Sequence, residues 1–236
     1  MFELILPACT AVSEVRGDLA ESPLFPEEAE VIARAVEKRR REFRTGRACA
    51  RAALGQLGIE PQAITAGSRG APQWPAEVVG SITHCDGFRA AALAHRTDLV
   101  AVGIDAELDA ALPEGVLGDV ALAEERLALE LLAREEPQVS WDRLLFSIKE
   151  SIYKAWFPLA ERWLGFEDAQ VTIDRDRRSF AARLLVPGPR LQGDELRGFS
   201  GRWLAHDGLL LAAIAVPARV AWVGAQVGVD GTVGEE

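Results

Sequence analysis

Apolar positions recur at helical spacing along residues 27–58, where Ile32, Val36, Phe43, Ala50, Leu54 and Leu57 share one side. Ser22, Pro23 and Pro26 precede this stretch and Gly55 and Gly58 fray its end, so the pattern predicts one long helix or two stacked ones. A loop-rich segment, AGSRGAPQWPAE, leads into strand-like VVGSIT at 78–83. HCDG reads as a turn, because Asp-Gly is a strong hairpin signal, and FRAAALAH and LVAVGIDA follow as two further strands. Past Asp109 the chain is broken by Pro113, Gly115 and Gly118, and helical spacing resumes at about 121–133 and again at about 140–157. The last third is strand-rich: AQVTID, SFAARLLV, GRWLAH, GLLLAAIAV and RVAWVG, with GVDGTVGEE expected to fray. The opening MFELILPACTAV has no basic lead and reads as a first strand rather than a signal peptide.

The pattern echoes itself. ITHCDGFRAAALA at 82–94 resembles LAHDGLLLAAIAV at 204–216, each a strand, a His with Asp-Gly, and a small-apolar strand. Phe43, Arg47 and Arg51 on the first long helix match Phe146, Glu150 and Lys154 on the later one. Two matches in the same order predict an α+β chain of two similar halves, 1–108 and 109–236.

Composition narrows the function classes. Hydrophobic residues make up 49% and charged residues 26%, the balance of a globular chain with a sizeable core. The net charge of −10 argues against general nucleic-acid binding, which needs a basic surface, but leaves room for a local phosphate pocket. Cys9, Cys49 and Cys85 are too scattered for a disulfide framework or a zinc site, so reduced thiols and a cytoplasmic setting are expected. No apolar run reaches the roughly 20 residues of a membrane helix.

Candidate chemistry concentrates in a few places. In VGIDAELD, Asp105 and Glu107 follow a buried-looking strand and, two apart, point to the same side. Like charges this close repel unless a cation lies between them. Taken alone, such a pair is a solvated strand edge; taken as ligands, these are oxygens suited to a hard cation. In FSIKESIYKAW, Trp141, Leu144, Leu145, Ile148, Ile152 and Trp156 form the buried face, with Glu150 and Lys154 one turn apart on the other. The plain reading of that pair is a surface ion pair worth roughly 0.3–0.5 kcal/mol. The site reading adds Glu150 as a third carboxylate and Lys154 as a phosphate contact. Arg40, Arg44, Arg47 and Arg51 border the apolar side of the first helix, where Arg stems often cover hydrophobic surface. Arg69 in SRGAP could meet a phosphate, and His84 follows a buried strand. A Cys-His nucleophile at His84-Cys85 is disfavoured, because neighbours on a strand face opposite ways.

GSITHCDGF, VGIDAE and FSIKESIYKAW, in this order and spacing, resemble the Sfp-type 4′-phosphopantetheinyl transferases, in particular the branch typified by the enterobactin-synthase enzyme. RRREFRTGRACAR, RGAP and SITH are similar to that family's coenzyme A contacts, and the likeness runs from about residue 25 to 175. The resemblance implies two α+β halves related by pseudo-twofold symmetry, each an antiparallel sheet packed with a long helix, with the active site between them. It implies Mg²⁺, or Mn²⁺ in its place, on Asp105, Glu107 and Glu150. Glu150 and Lys154 would be catalytic, with Glu150 as base. Arg47, Arg69, Gly70, Pro72, Ser81, Thr83, His84 and Lys154 would hold coenzyme A. Arg69 departs from the Lys that many members carry, which changes the geometry of that contact. The implied partners are coenzyme A and an apo acyl, peptidyl or aryl carrier protein or domain, with no nucleic acid, no membrane and a monomeric enzyme. Leu112–Leu122 and Trp163–Phe166 are the candidate carrier-docking stretches.

Two rivals stay open on sequence alone. A metal-dependent phosphohydrolase would use the same three carboxylates on coenzyme A with water. A non-catalytic coenzyme-A-binding module would keep the arginines and need no acidic set.

Overall fold

The computed structural model describes residues 1–218, so the strand expected at RVAWVG and the fraying expected at GVDGTVGEE lie outside the described residues. The chain begins with a short 3₁₀ turn, Phe2–Leu4, and strand β1 starts only at Ala11 (Ala11–Arg16). A strand was expected from residue 1. Instead Phe2, Ile5 and Leu6 are all buried, and that spacing suits a turn rather than period-two alternation.

The helical stretch divides into α1 (Pro26–Val31) and α2 (Glu37–Gln56). Phe43, Ala50 and Leu54 are buried as the pattern requires, but Val36 is 74% exposed because it is the extended residue that caps α2. Strands β2 (Val78–Cys85), β3 (Phe88–His95) and β4 (Leu99–Leu108) follow. A short α3 (Val116–Val120) precedes α4 (Ala123–Glu135) and α5 (Trp141–Ala160). Then come β5 (Ala169–Asp174), β6 (Ser179–Leu184), the small pair β7 (Arg190–Leu191) and β8 (Asp194–Glu195), β9 (Gly198–His206) and β10 (Leu209–Pro217).

The result is α+β with antiparallel sheets. One sheet has the order β1-β3-β2, the other β4-β10-β9-β6-β5. Both predicted Asp-Gly hairpins form, β2 with β3 and β9 with β10. In the second, Asp207 (φ 50°) and Gly208 (φ 72°) are both left-handed, the two-residue turn that matches strand twist. β4 lies before residue 108 in sequence yet hydrogen-bonds to β10.

Four layers follow from which faces are apolar. α2 covers one face of the first sheet through Cys49, Ala50, Ala53 and Leu54 against Val78, Ala91 and Leu93. The other face, Val79, Ala90, Ala92 and Ala94, packs on Val102, Ile104, Ala106 and Leu211 of the second sheet. α5 covers that sheet's far side with Trp141, Leu144, Leu145, Ile148, Ile152 and Trp156, the face its periodicity predicts. The alanines of β3 let both of its neighbours come close.

Two further features set the site. β2 and β4 run side by side without a backbone ladder. Ile104 N donates to Ser81 Oγ at 3.2 Å and Ala106 N to Thr83 Oγ1 at 3.1 Å, so hydroxyls satisfy the edge of β4. α5 also lies directly on β4 at Gly103, where a Cβ would stand 2.1 Å from Ser151 O and 2.9 Å from Ala155 N. We expect Gly103→Ala to push α5 off β4 at a cost of about 1–3 kcal/mol. Differential scanning calorimetry should then show the midpoint lowered by about 3–10 °C, and an unchanged midpoint would contradict this contact.

Each long helix is also tied down by a buried glutamate. Glu28, in the first turn of α1, accepts from Phe25 N, Ile64 N and both ways from Arg51 of α2. Glu125, in the first turn of α4, accepts from Leu122 N, Val171 N and Lys149 of α5. The same device thus anchors α2 and α5.

Candidate active site

A cleft of about 220 Å³ opens between the 68–72 turn, β2 and α5. Arg69, Gly70, Pro72, Ser81, Glu150 and Lys154 line it, all of them sequence candidates. The turn carries Arg69 (φ 56°) and Gly70 (φ 77°) in succession in the left-handed region. For Arg69 that conformation costs about 1–2 kcal/mol, strain of the kind held at functional positions. Its guanidinium lies 5.2 Å over the Trp163 ring, which itself sits 5.0 Å from Tyr153. Trp163 is 62% exposed and Tyr153 lines the same cleft.

At the cleft floor Lys154 does not pair with Glu150. Its ammonium donates to Asp105 Oδ1 at 2.7 Å, to Ile104 O at 3.1 Å and to Thr83 Oγ1 at 3.3 Å. The exposed i,i+4 pair of the plain reading is therefore replaced by a bridge from α5 to β4. Asp105 is 5% exposed, and its Oδ2 is buried with no hydrogen-bond partner. Glu107, two residues on, is held by Arg143 Nη1 at 3.1 Å. Burial, and then the Asp105 charge, push the carboxyls of both Glu107 and Glu150 above the usual range. The three carboxylates thus share one electrostatic neighbourhood.

They are not drawn into a finished chelate. Among the described residues no three His, Cys, Asp or Glu side chains stand close enough to hold a metal ion. Lys154 holds one oxygen of Asp105 and Arg143 one of Glu107, and each carboxylate keeps its second oxygen outside these bonds. The donor set still fits a hard cation, because Asp105 keeps a buried carboxylate oxygen with no hydrogen-bond partner, and burial and then its charge raise the carboxyls of both Glu107 and Glu150.

Other candidates are placed differently. Thr83 touches Lys154 and Asp105, while Ser81 both lines the cleft and bonds to β4. Arg47 does not line the cleft. It is buried, its Nε donates to Ile64 O at 2.7 Å, its guanidinium lies 4.1 Å over Phe43, and burial lowers its pKa to about 10. Arg51 is spent on Glu28 and Arg40 bonds to Ala33 O, while Arg44 stays exposed 3.9 Å from Glu37, so the expected stripe divides.

His84, 39% exposed, has Nε2 2.7 Å from Arg39 Nη1 and Nδ1 3.7 Å from Glu42. Burial and then Arg39 lower its pKa to about 4, with Lys154 and Arg89 adding to the effect and Glu42 opposing it. The ring is neutral in the fold and protonates below pH 6.5 once unfolded, so its contribution to stability is present above 6.5 and is lost as pH falls toward 4. We expect the His84 imidazole resonances to titrate with a midpoint of about 4; a midpoint near 6.5 would contradict this packing. Cys85 is held protonated, its thiol pushed to about 12 by burial and then by Glu107 and Asp105, which fits its exclusion as a nucleophile. All three cysteines are free.

Sequence reasoning missed Arg143, and it gave Arg39 and Lys149 no role of their own although both lie in the segments RRREFRTGRACAR and FSIKESIYKAW. Arg143 was legible in principle: it lies seven residues before Glu150 and eleven before Lys154, on one stripe of α5.

Residues 27–94 match the family model described as 4′-phosphopantetheinyl transferase N-terminal domain, and 101–203 match the 4′-phosphopantetheinyl transferase superfamily. The chain belongs to the 4′-phosphopantetheinyl transferase superfamily. It is 52% identical over 221 residues to the 4′-phosphopantetheinyl transferase Svp of Streptomyces mobaraensis, covering 92% of this chain and 90% of that protein. Npt of Nocardia iowensis is 49% identical over 223 residues, covering 91% and 99%. PptT of Mycobacterium tuberculosis is 46% identical over 221 residues, covering 90% and 96%. All three carry the transferase name.

Proposed function

We propose that this chain transfers the 4′-phosphopantetheine group of coenzyme A to a serine of an apo acyl, peptidyl or aryl carrier protein, releasing adenosine 3′,5′-bisphosphate. The observation that carries the reading is the Lys154–Asp105 bridge at 2.7 Å in a cleft shared with Glu150 and Arg69, within a chain about half identical to named transferases.

Arg69 and Lys154, from opposite walls, supply positive charge for the coenzyme A phosphates, with Arg39 at the end of β2 and the neutral His84 ring beside it as a hydrogen-bonding contact. Ser81 and Thr83 fix the cleft floor through their bonds to β4. Arg47 supports the wall from inside, by holding Ile64. Glu150, whose carboxyl is raised by burial and by Asp105, accepts the proton of the carrier serine as its oxygen attacks the pantetheine-bearing phosphorus. The phosphoanhydride bond breaks and the bisphosphate departs with the electron pair. Asp105, Glu107 and Glu150 are the residues that would hold Mg²⁺, or Mn²⁺, which supplies charge neutralisation on the pyrophosphate when bound.

The pseudo-twofold relation of two halves, 1–108 and 109–236, the enterobactin-synthase-like branch, a cytoplasmic setting, a monomeric state and the absence of nucleic-acid partners belong to this proposal. Among the described residues no helix is long and apolar enough to cross a membrane. Intact-mass analysis of an apo carrier incubated with the protein, coenzyme A and Mg²⁺, with and without EDTA, tests it. One phosphopantetheine on the carrier serine, lost with EDTA, is the expected result. Coenzyme A breakdown without carrier labelling would favour the phosphohydrolase, and neither product a binding module.

A further inference from the structure

A cation that the proposed reaction leaves unused stands against Glu107, one of the three site carboxylates. Arg143, in the first turn of α5, spends its guanidinium fork on three acceptors: Glu107 Oε2 at 3.1 Å, Ala110 O at 3.1 Å and Ala111 O at 3.0 Å. We propose that Arg143 is a positioning residue that orients the Glu107 carboxylate beside Asp105 for a divalent cation. The inference rests on the metal reading above.

A purely structural account would have Arg143 fasten the chain reversal after β4 to the start of α5. That fastening already exists without it. Asp109 Oδ1 accepts from Ser140 N at 2.8 Å and Asp142 Oδ2 from Leu112 N at 2.9 Å, so two bonds already join the loop to the helix. The third bond of the fork, to a site carboxylate, is what loop fastening does not need.

A glutamate at the end of a strand has three side-chain torsions to fix before it can act as a ligand. Beside Asp105 it is also repelled unless a positive charge holds it. A planar guanidinium anchored on two backbone carbonyls supplies both direction and charge, and it engages Oε2 while the carboxylate keeps its other oxygen. Hydrogen-bond partners that orient ligating side chains are typically worth about 10–100-fold in metal affinity.

The test is Mn²⁺ binding read by electron paramagnetic resonance, with wild type, Arg143→Met and Arg143→Lys each carrying one equivalent of coenzyme A, against coenzyme A alone. Melting curves of all three proteins are recorded alongside. The expected result is a loss of about 10-fold or more in Mn²⁺ affinity for Arg143→Met, with coenzyme A binding retained and partial recovery in Arg143→Lys. Equal or tighter Mn²⁺ binding by a folded Arg143→Met would overturn the assignment while leaving the metal site standing. If Arg143→Met does not fold, wild-type Mn²⁺ affinity in Arg143→Lys would overturn it, since the ammonium cannot reproduce the fork. No Mn²⁺ held by the wild type beyond coenzyme A alone would remove the metal reading and this inference together.

Discussion

Asp105→Asn is expected to leave the protein folded and to lower phosphopantetheine transfer by roughly 10³-fold, the size of effect seen when one pre-set electrostatic group is lost from a catalytic centre. The substitution keeps the volume of a side chain that is 5% exposed. An amide oxygen can still accept from Lys154 in place of Oδ1. What disappears is the charge that holds the Lys154 ammonium and raises the Glu107 and Glu150 carboxyls, together with the unpartnered Oδ2. Initial rates of carrier labelling by intact mass, paired with a melting curve, separate the two contributions. A folded variant with wild-type rate would show that the cleft floor is not where transfer occurs.

The largest loss of stability is expected at Lys149, which hydrogen-bonds to none of the candidate catalytic, metal or coenzyme A residues. Lys149→Met removes a 3% exposed ammonium that donates to Glu125 Oε2 at 2.7 Å, Phe166 O at 2.8 Å and Val120 O at 2.9 Å. Glu125 would stay buried with its negative charge, held only by Leu122 N and Val171 N. Breaking one side of such a pair costs about 3–5 kcal/mol, which for a chain of this size lowers the midpoint by about 6–20 °C. Urea and thermal unfolding check this. A midpoint within 2 °C of wild type, roughly what a surface change would give, would mean that the clamp does not anchor α5.

Much of this was legible because local signals were consistent. FRAAALAH at 88–95 and AQVTID at 169–174 are strands to the residue, since short apolar runs there are bounded by turn chemistry. The apolar buried face of α5 follows helical spacing, although Ser147, Lys149 and Ser151 are buried beside it. The site carboxylates stood out for the same reason: a buried strand ending in Asp-x-Glu, and a Glu-x-x-x-Lys on a helix, are patterns within single elements.

What escaped depends on contacts between elements far apart in sequence. That Lys154 pairs with Asp105 rather than Glu150 is set by how closely α5 lies on β4, which Gly103 permits. That Arg47 turns inward is decided by the carbonyl of Ile64, seventeen residues away across the α2 packing. The break between α1 and α2 falls at Ile32–Val36, where no proline or glycine announces it. Arg143 carries the right helical phase, but its partner Glu107 lies 36 residues earlier.

The central claim, that the cleft between β2 and α5 binds the coenzyme A pyrophosphate through a divalent cation, is tested most directly by a crystal of the protein with coenzyme A and Mn²⁺. The account predicts an anomalous peak touching Asp105, Glu107, Glu150 and the pyrophosphate, with Lys154 and Arg69 on the phosphates. Coenzyme A bound elsewhere, or bound in this cleft with no peak at the three carboxylates, would contradict it.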